Sequence, residues 1–213
     1  MSVCVYALSA GGVGRLALTG VTGERLRRIR VGAVEAVVGD VARRPRPTEA
    51  NLRRYDRILT SLWARTPALL PVRFGAVLPD RADLERVLEA RHDTLSQRLA
   101  SVRNRAQMTV RILPGTKDPR SPIPDPRSSG TSYLRARARA SDVPEFARVR
   151  PALRRWVRAE RVETRGNVAT MYHLVPRSGV QPYRRAIARA ARQADVRLLV
   201  SGPWPAYAFA GSW

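Results

Sequence analysis

The chain has 213 residues, enough for one large domain or two small ones, and its hydrophobic fraction of 44% is ordinary for a folded protein. Its formal net charge of +22, from 39 Lys+Arg against 17 Asp+Glu, is not ordinary, and a charge of that size attracts nucleic acid, anionic membrane or acidic protein surfaces without selecting among them. No stretch approaches the roughly 18 apolar residues that span a bilayer, and no basic region precedes an N-terminal apolar core, so the expectation is a soluble cytoplasmic protein with no membrane partner.

In chain order, VCVYALS (3–9) is a short apolar strand that carries the single cysteine, Cys4. An unpaired cysteine suits a reducing compartment, and one in such a run reads as a buried structural thiol. The GGVG that follows is a turn. LRRIRVG (26–32) and VEAVVGDV (34–41) are β-rich and nearly contiguous, which predicts a hairpin. Thr48 and Asn51 open a helix whose Leu52, Tyr55, Ile58, Leu59 and Leu62 form one apolar stripe, and Pro67 ends it. LLPVRFGAVL (69–78) has the length of a central strand, with Pro71 at its start or at an edge. Asp80 caps a helix over about residues 81–103, with Leu84, Val87, Leu88, Leu95, Leu99 and Val102 on one face.

QMTVRIL (107–113) is a strand, and PGTKDPRSPIPDPRSSGTS (114–132) is loop by composition. A helical region over about 131–159 carries Leu134, Phe146, Val149, Leu153 and Trp156, and Pro144 and Pro151 should divide it into short helices. RVETRGNV (161–168) and TMYHLVPR (170–177) are strands, a helix spans about 181–194, and RLLVSG (197–202) is the last strand. The expected fold class is α+β in two domains. Residues 1–105 form an N-terminal α+β domain, and residues 106–213 form a C-terminal ferredoxin-like domain with strand order βαββαβ along the chain.

Motifs that carry chemistry are scarce. GVGRLA (12–17) matches the outline of a dinucleotide fingerprint, but LTGVTGE follows where a helix must begin. RGNVATMYHL (165–174), laid over the RNA-recognition signature, keeps Arg165, Gly166 and Tyr172 but has Asn167 and Ala169 where aromatic platforms belong, so specific nucleic-acid binding is not expected. A basic RNA-binding protein is nonetheless the rival reading of the +22 charge. Two histidines, His92 and His173, and one cysteine give a metal little to hold. Neither a catalytic motif nor a cofactor motif is present, and the expectation is a protein that is not an enzyme. Arginine clusters such as Arg27, Arg28 and Arg30 or Arg135, Arg137 and Arg139 read as solvated faces, with GC-rich codon usage as their bland source.

Two segments are left unexplained by composition: LLPVRFGAVLPD (69–80) and SGPWPAYAF (201–209). A disordered terminus is polar, and this one carries Trp204, Tyr207 and Phe209, so it must dock on something. The first segment, followed by a long amphipathic helix and a strand, resembles the "PvrFG" strand of the gas vesicle protein GvpF/GvpL family. The second resembles that family's closing "GPWPPYsF", with Ala206 where proline is usual. GTSYL (130–134) and MYHLV (171–175) are similar to two further family features. The resemblance, over about residues 3–209, implies an accessory or minor structural protein of gas vesicles. It also implies association with the major shell protein GvpA and other gas vesicle accessory proteins, and a location at the gas vesicle. Candidate contacts are Arg73, Phe74, Trp204, Pro205, Tyr207 and Phe209.

Overall fold

β1 (Ser2–Ala10) is buried from Val3 to Ser9 without a polar-out alternation, the signature of a strand covered on both faces. The computed structural model, which describes residues 1–14, 16–112, 144–165 and 168–211, shows what covers it. The described chain separates into two compact units, Met1–Ala106 with the segment that begins at Trp204, and Gln107–Pro203.

In the first unit β1 pairs antiparallel with β3 (Val34–Val41), which forms the expected hairpin with β2 (Leu26–Val31). β4 (Ala68–Pro71) closes the other side, giving the order β2-β3-β1-β4. Helix α1 (Glu49–Arg65) starts as expected, with the Thr48 hydroxyl accepting from the Asn51 amide. Its Tyr55, Ile58, Leu59 and Leu62 pack with Cys4, Tyr6, Ala7, Val37 and Leu69 on one face of the sheet. Leu52, expected in that stripe, is 44% exposed, because it lies in the first turn, before the helix meets the sheet.

The opposite face is covered by α2 (Arg81–Ala90) and α3 (His92–Val102), through Leu84, Leu88, Leu95, Leu99 and Val102. These two elements replace the single helix expected over 81–103. The apolar period runs through the junction, but Arg91 leaves helical geometry at φ −115° and ψ 9°. His92 then lies against the hairpin turn at Gly32, where φ is +55° and an added Cβ would come 2.6 Å from the imidazole Nε2.

The strand expected over 69–78 is also interrupted. β4 and β5 (Val77–Leu78) both pair with β1, at Ala7–Ala10 and at Val3–Cys4, and residues 72–76 loop out between them. Gly75, at φ +71°, makes that turn, and the Tyr55 hydroxyl donates to the Val72 carbonyl at its start. Pro71 lies at the end of β4, on the sheet's edge strand, where its missing N–H is tolerated.

The second unit has β6 (Arg105–Ile112), α4 (Pro144–Leu153), β7 (Ala159–Arg165), β8 (Val168–Pro176), α5 (Val180–Gln193) and β9 (Leu198–Trp204). Its sheet order, β7-β8-β6-β9, is that of the split βαβ, ferredoxin-like arrangement. Phe146, Val149 and Leu153 of α4 and Val180, Tyr183, Ile187 and Ala190 of α5 are buried. Pro151 lies inside α4 near its C-terminal end instead of opening a new helix, and the helix stops two residues later. The loop expected over 114–132, Leu134 and the Arg135, Arg137, Arg139 cluster lie outside the described residues. No described helix is long and apolar enough to cross a membrane.

Candidate functional site

The terminal segment folds onto the first unit. Past Trp204, Pro205 and Ala206 are buried, and a 3-10 turn over Tyr207–Phe209 packs against β4. The Tyr207 hydroxyl donates to Asp56 Oδ1 of α1 at 2.7 Å, and an Arg98 guanidinium N–H of α3 reaches the Ala210 carbonyl at 3.4 Å. The expected boundary at residue 106 placed this segment with the second half of the chain. These contacts place it with the first, where Pro205 and Ala206 are buried and the Tyr207 hydroxyl finds its acceptor.

The two candidate segments meet α1 at consecutive residues. Phe74 packs edge-on to Tyr55, with ring centroids 5.3 Å apart, while Tyr207 binds Asp56. Partial burial and then the Asp56 carboxylate raise the Tyr207 phenol pKa well above its ordinary range, so this bond has a phenol as donor. Of the six candidates, Phe74, Pro205 and Phe209 turn wholly or partly inward, whereas Arg73, Trp204 and Tyr207 are exposed, the two aromatics by 38% and 37%.

Cys4 is fully buried, and burial pushes its thiol up to about 11, which suits packing and not nucleophilic attack. Around it, Tyr6 donates to Glu24, accepts from the Val21 amide at 2.8 Å and packs on Tyr55 at 5.6 Å. The described part of 11–18 holds no helix, so the GVGRLA stretch lacks the helix N-terminus that a pyrophosphate needs. Tyr172, the aromatic kept from the RNA-recognition pattern, has its hydroxyl 3.4 Å from the Glu163 carboxylate, an unfavourable neighbour for a phosphodiester. Gly166 and Asn167 lie outside the described residues.

A polar network in the second unit escaped the sequence reading. His173 of β8 is 1% exposed, with Nδ1 2.8 Å from the Tyr183 hydroxyl and Nε2 2.9 Å from Glu160. Arg150 of α4 donates to the other Glu160 oxygen at 3.0 Å. The His173 hydrogen bond first, and the Arg150 guanidinium after it, hold Glu160 below the usual carboxylate range. A pocket of about 480 Å³ adjoins it, lined by Arg150, Leu153, Arg154, Val157, Glu160 and His173, and no described hydroxyl or thiol nucleophile opens into it. The signal for this network was the hairpin register: counting outward from the Arg165–Val168 pair sets Glu160 opposite His173. Among the described residues no group of three or more metal-ligating side chains occurs.

Residues 3–211 match the family described as "Gas vesicle synthesis protein GvpL/GvpF". The chain belongs to the GvpL/GvpF family. It is 28% identical over 229 aligned positions to gas vesicle protein L of Streptomyces sp. (strain CB03234), covering 90% of this chain and 85% of that protein. Its fold is similar to that of GvpF from Microcystis aeruginosa, with a TM-score of 0.75 at 13% identity over 98% of each chain. It is equally similar to GvpF from Anabaena sp. PCC7120, with a TM-score of 0.76 at 14% identity over 100% of this chain and 97% of that one. The α+β architecture is therefore a GvpF-like fold, and Ala206 of the closing segment is packed at 1% exposure.

Proposed function

We propose that this chain is a non-enzymatic accessory protein of gas vesicles that binds the major shell protein GvpA and assists its assembly into the wall. The observation that carries the reading is the closing segment. Its backbone is pinned by Tyr207 on Asp56 and by Arg98 on Ala210, yet Trp204 and Tyr207 stay more than one-third exposed. Rigid aromatic side chains offered on a fixed backbone lose little entropy on binding, and Trp and Tyr dominate interface energetics. An assembly helper for an apolar subunit needs such a surface and needs no catalytic centre. Phe74 packs on Tyr55 and Pro205 is buried, and Arg73, Trp204 and Tyr207 are the residues assigned to partner contact.

Co-purification of the chain with GvpA tests this. Trp204→Ala is expected to weaken capture of the shell protein about tenfold while the thermal unfolding profile stays intact, a loss typical of a hot-spot residue. A folded Trp204→Ala variant that captures GvpA as well as the parent would refute the assignment of this surface.

A further inference from the structure

The described arginines differ in their neighbours. On β2 and in α2, several are neutralised by nearby carboxylates. Arg27 meets Asp40 at 2.7 Å, Arg30 and Arg28 meet the buried Glu35 at 3.2 and 3.8 Å, and Arg81 meets Glu85 at 2.7 Å. The Arg27, Arg28, Arg30 cluster is thus a set of cross-strand ion pairs more than a solvated face. Helix α5, VQPYRRAIARAARQ, is different: it carries Arg184, Arg185, Arg189 and Arg192 and no acidic residue. Its buried stripe of Val180, Tyr183, Ile187 and Ala190 turns these arginines outward. No described carboxylate forms an ion pair with any of them, nor with Arg155 just past α4. Like charges one turn apart, as at Arg185 and Arg189, oppose the helix on which they stand.

Between α4 and α5 lies a pocket of about 470 Å³ whose walls include Arg155, Trp156, Arg185, Arg189 and the small side chains Ala152 and Ala186. Arg155 lies over the Trp156 ring at 4.7 Å, and the indole N–H is buried with no acceptor among the described residues. We propose that this slot is a docking site for an acidic polypeptide segment, an amphipathic helix or turn presenting carboxylates about one helical turn apart. Arg185 and Arg189 are four residues apart and so stand about 6 Å apart along α5, the spacing of carboxylates at positions i and i+4 on a partner helix. The alanines leave room for partner side chains between the guanidinium groups. A nucleic-acid strand fits less well: base stacking needs an open aromatic face, and the one aromatic ring here is already capped by Arg155. The site lies wholly within the second unit and does not depend on the surface assigned to GvpA.

Fluorescence anisotropy on the full chain tests the site. The probes are a labelled amphipathic peptide with glutamates one turn apart, the same peptide with glutamines, and a labelled single-stranded RNA. At physiological ionic strength the glutamate peptide is expected to bind and the glutamine peptide not. The Arg185→Ala/Arg189→Ala double variant is expected to weaken the glutamate peptide about tenfold or more, against less than about twofold for Arg43→Ala/Arg46→Ala, which removes the same charge from exposed positions in the first unit. Trp156→Phe, read by thermal unfolding and by peptide affinity together, guards against a general loss of structure. Equal losses in both double variants would reduce the effect to net charge and overturn the proposal. So would absence of peptide binding, or RNA binding tighter than the peptide and abolished by the Arg185 and Arg189 changes.

Discussion

Tyr207 and Asp56 are joined by a 2.7 Å hydrogen bond across 151 positions of sequence. That bond, together with the burial of Pro205 and Ala206, explains how residues 204–211, largely small and aromatic, are held against the first unit of a highly charged chain. Tyr207→Phe keeps the ring and removes the donor. It is expected to lower stability by about 0.5–1 kcal/mol, the low range for a partly exposed hydrogen bond. Asp56→Ala should cost a similar amount and the double variant no more than either alone. Amide exchange of residues 204–211 should quicken in all three, and additive losses would show that the pair does not act as one contact.

Acid should weaken the second unit through Glu160. Its carboxyl is held below its usual value of 4.5 by His173 and Arg150 in the folded chain, so the folded state binds its proton less readily than the unfolded state does. The stabilisation is therefore fully present above about pH 4.5 and is lost as pH falls through the lower, folded value. Urea midpoints measured from pH 7 down to pH 3 should fall in this window, and Glu160→Gln should start lower at neutral pH and show a shallower acid slope.

Removing the hydroxyl of Tyr183 tests the same network from its buried end. Tyr183→Phe leaves His173 Nδ1 without its 2.8 Å partner at a site shut off from water. A loss of about 1–3 kcal/mol in chemical unfolding is expected, the cost of an orphaned buried polar atom. A loss below about 0.5 kcal/mol would mean that water reaches the imidazole and replaces the phenol.

Cys4 should be silent in the native state. With the side chain fully buried and its pKa pushed up to about 11, almost no thiolate exists at pH 8 and none of it is accessible. A disulfide-exchange reagent at that pH should titrate no thiol until denaturant is added and then one per chain. Fast labelling of the folded protein would show that β1 opens locally.

What the sequence determined by itself was the kind and order of the elements. The β-rich runs, the apolar periods of α1 and α5, the Thr48 cap and the βαββαβ order of the second half are local properties. The gas vesicle family likeness likewise rested on two contiguous motifs. What only the tertiary structure decided were the interruptions and the long-range pairings. The helix breaks at Arg91 although its apolar period continues, because α2 and α3 must each lie on a different stretch of the sheet. The strand breaks at 72–76 because both of its ends pair with β1. The closing segment packs on α1 and β4, and Glu160 and Tyr183 converge on His173. Hydrophobic period and turn chemistry report a residue's neighbours within one or two turns of chain, whereas these contacts depend on which surfaces folding brings together.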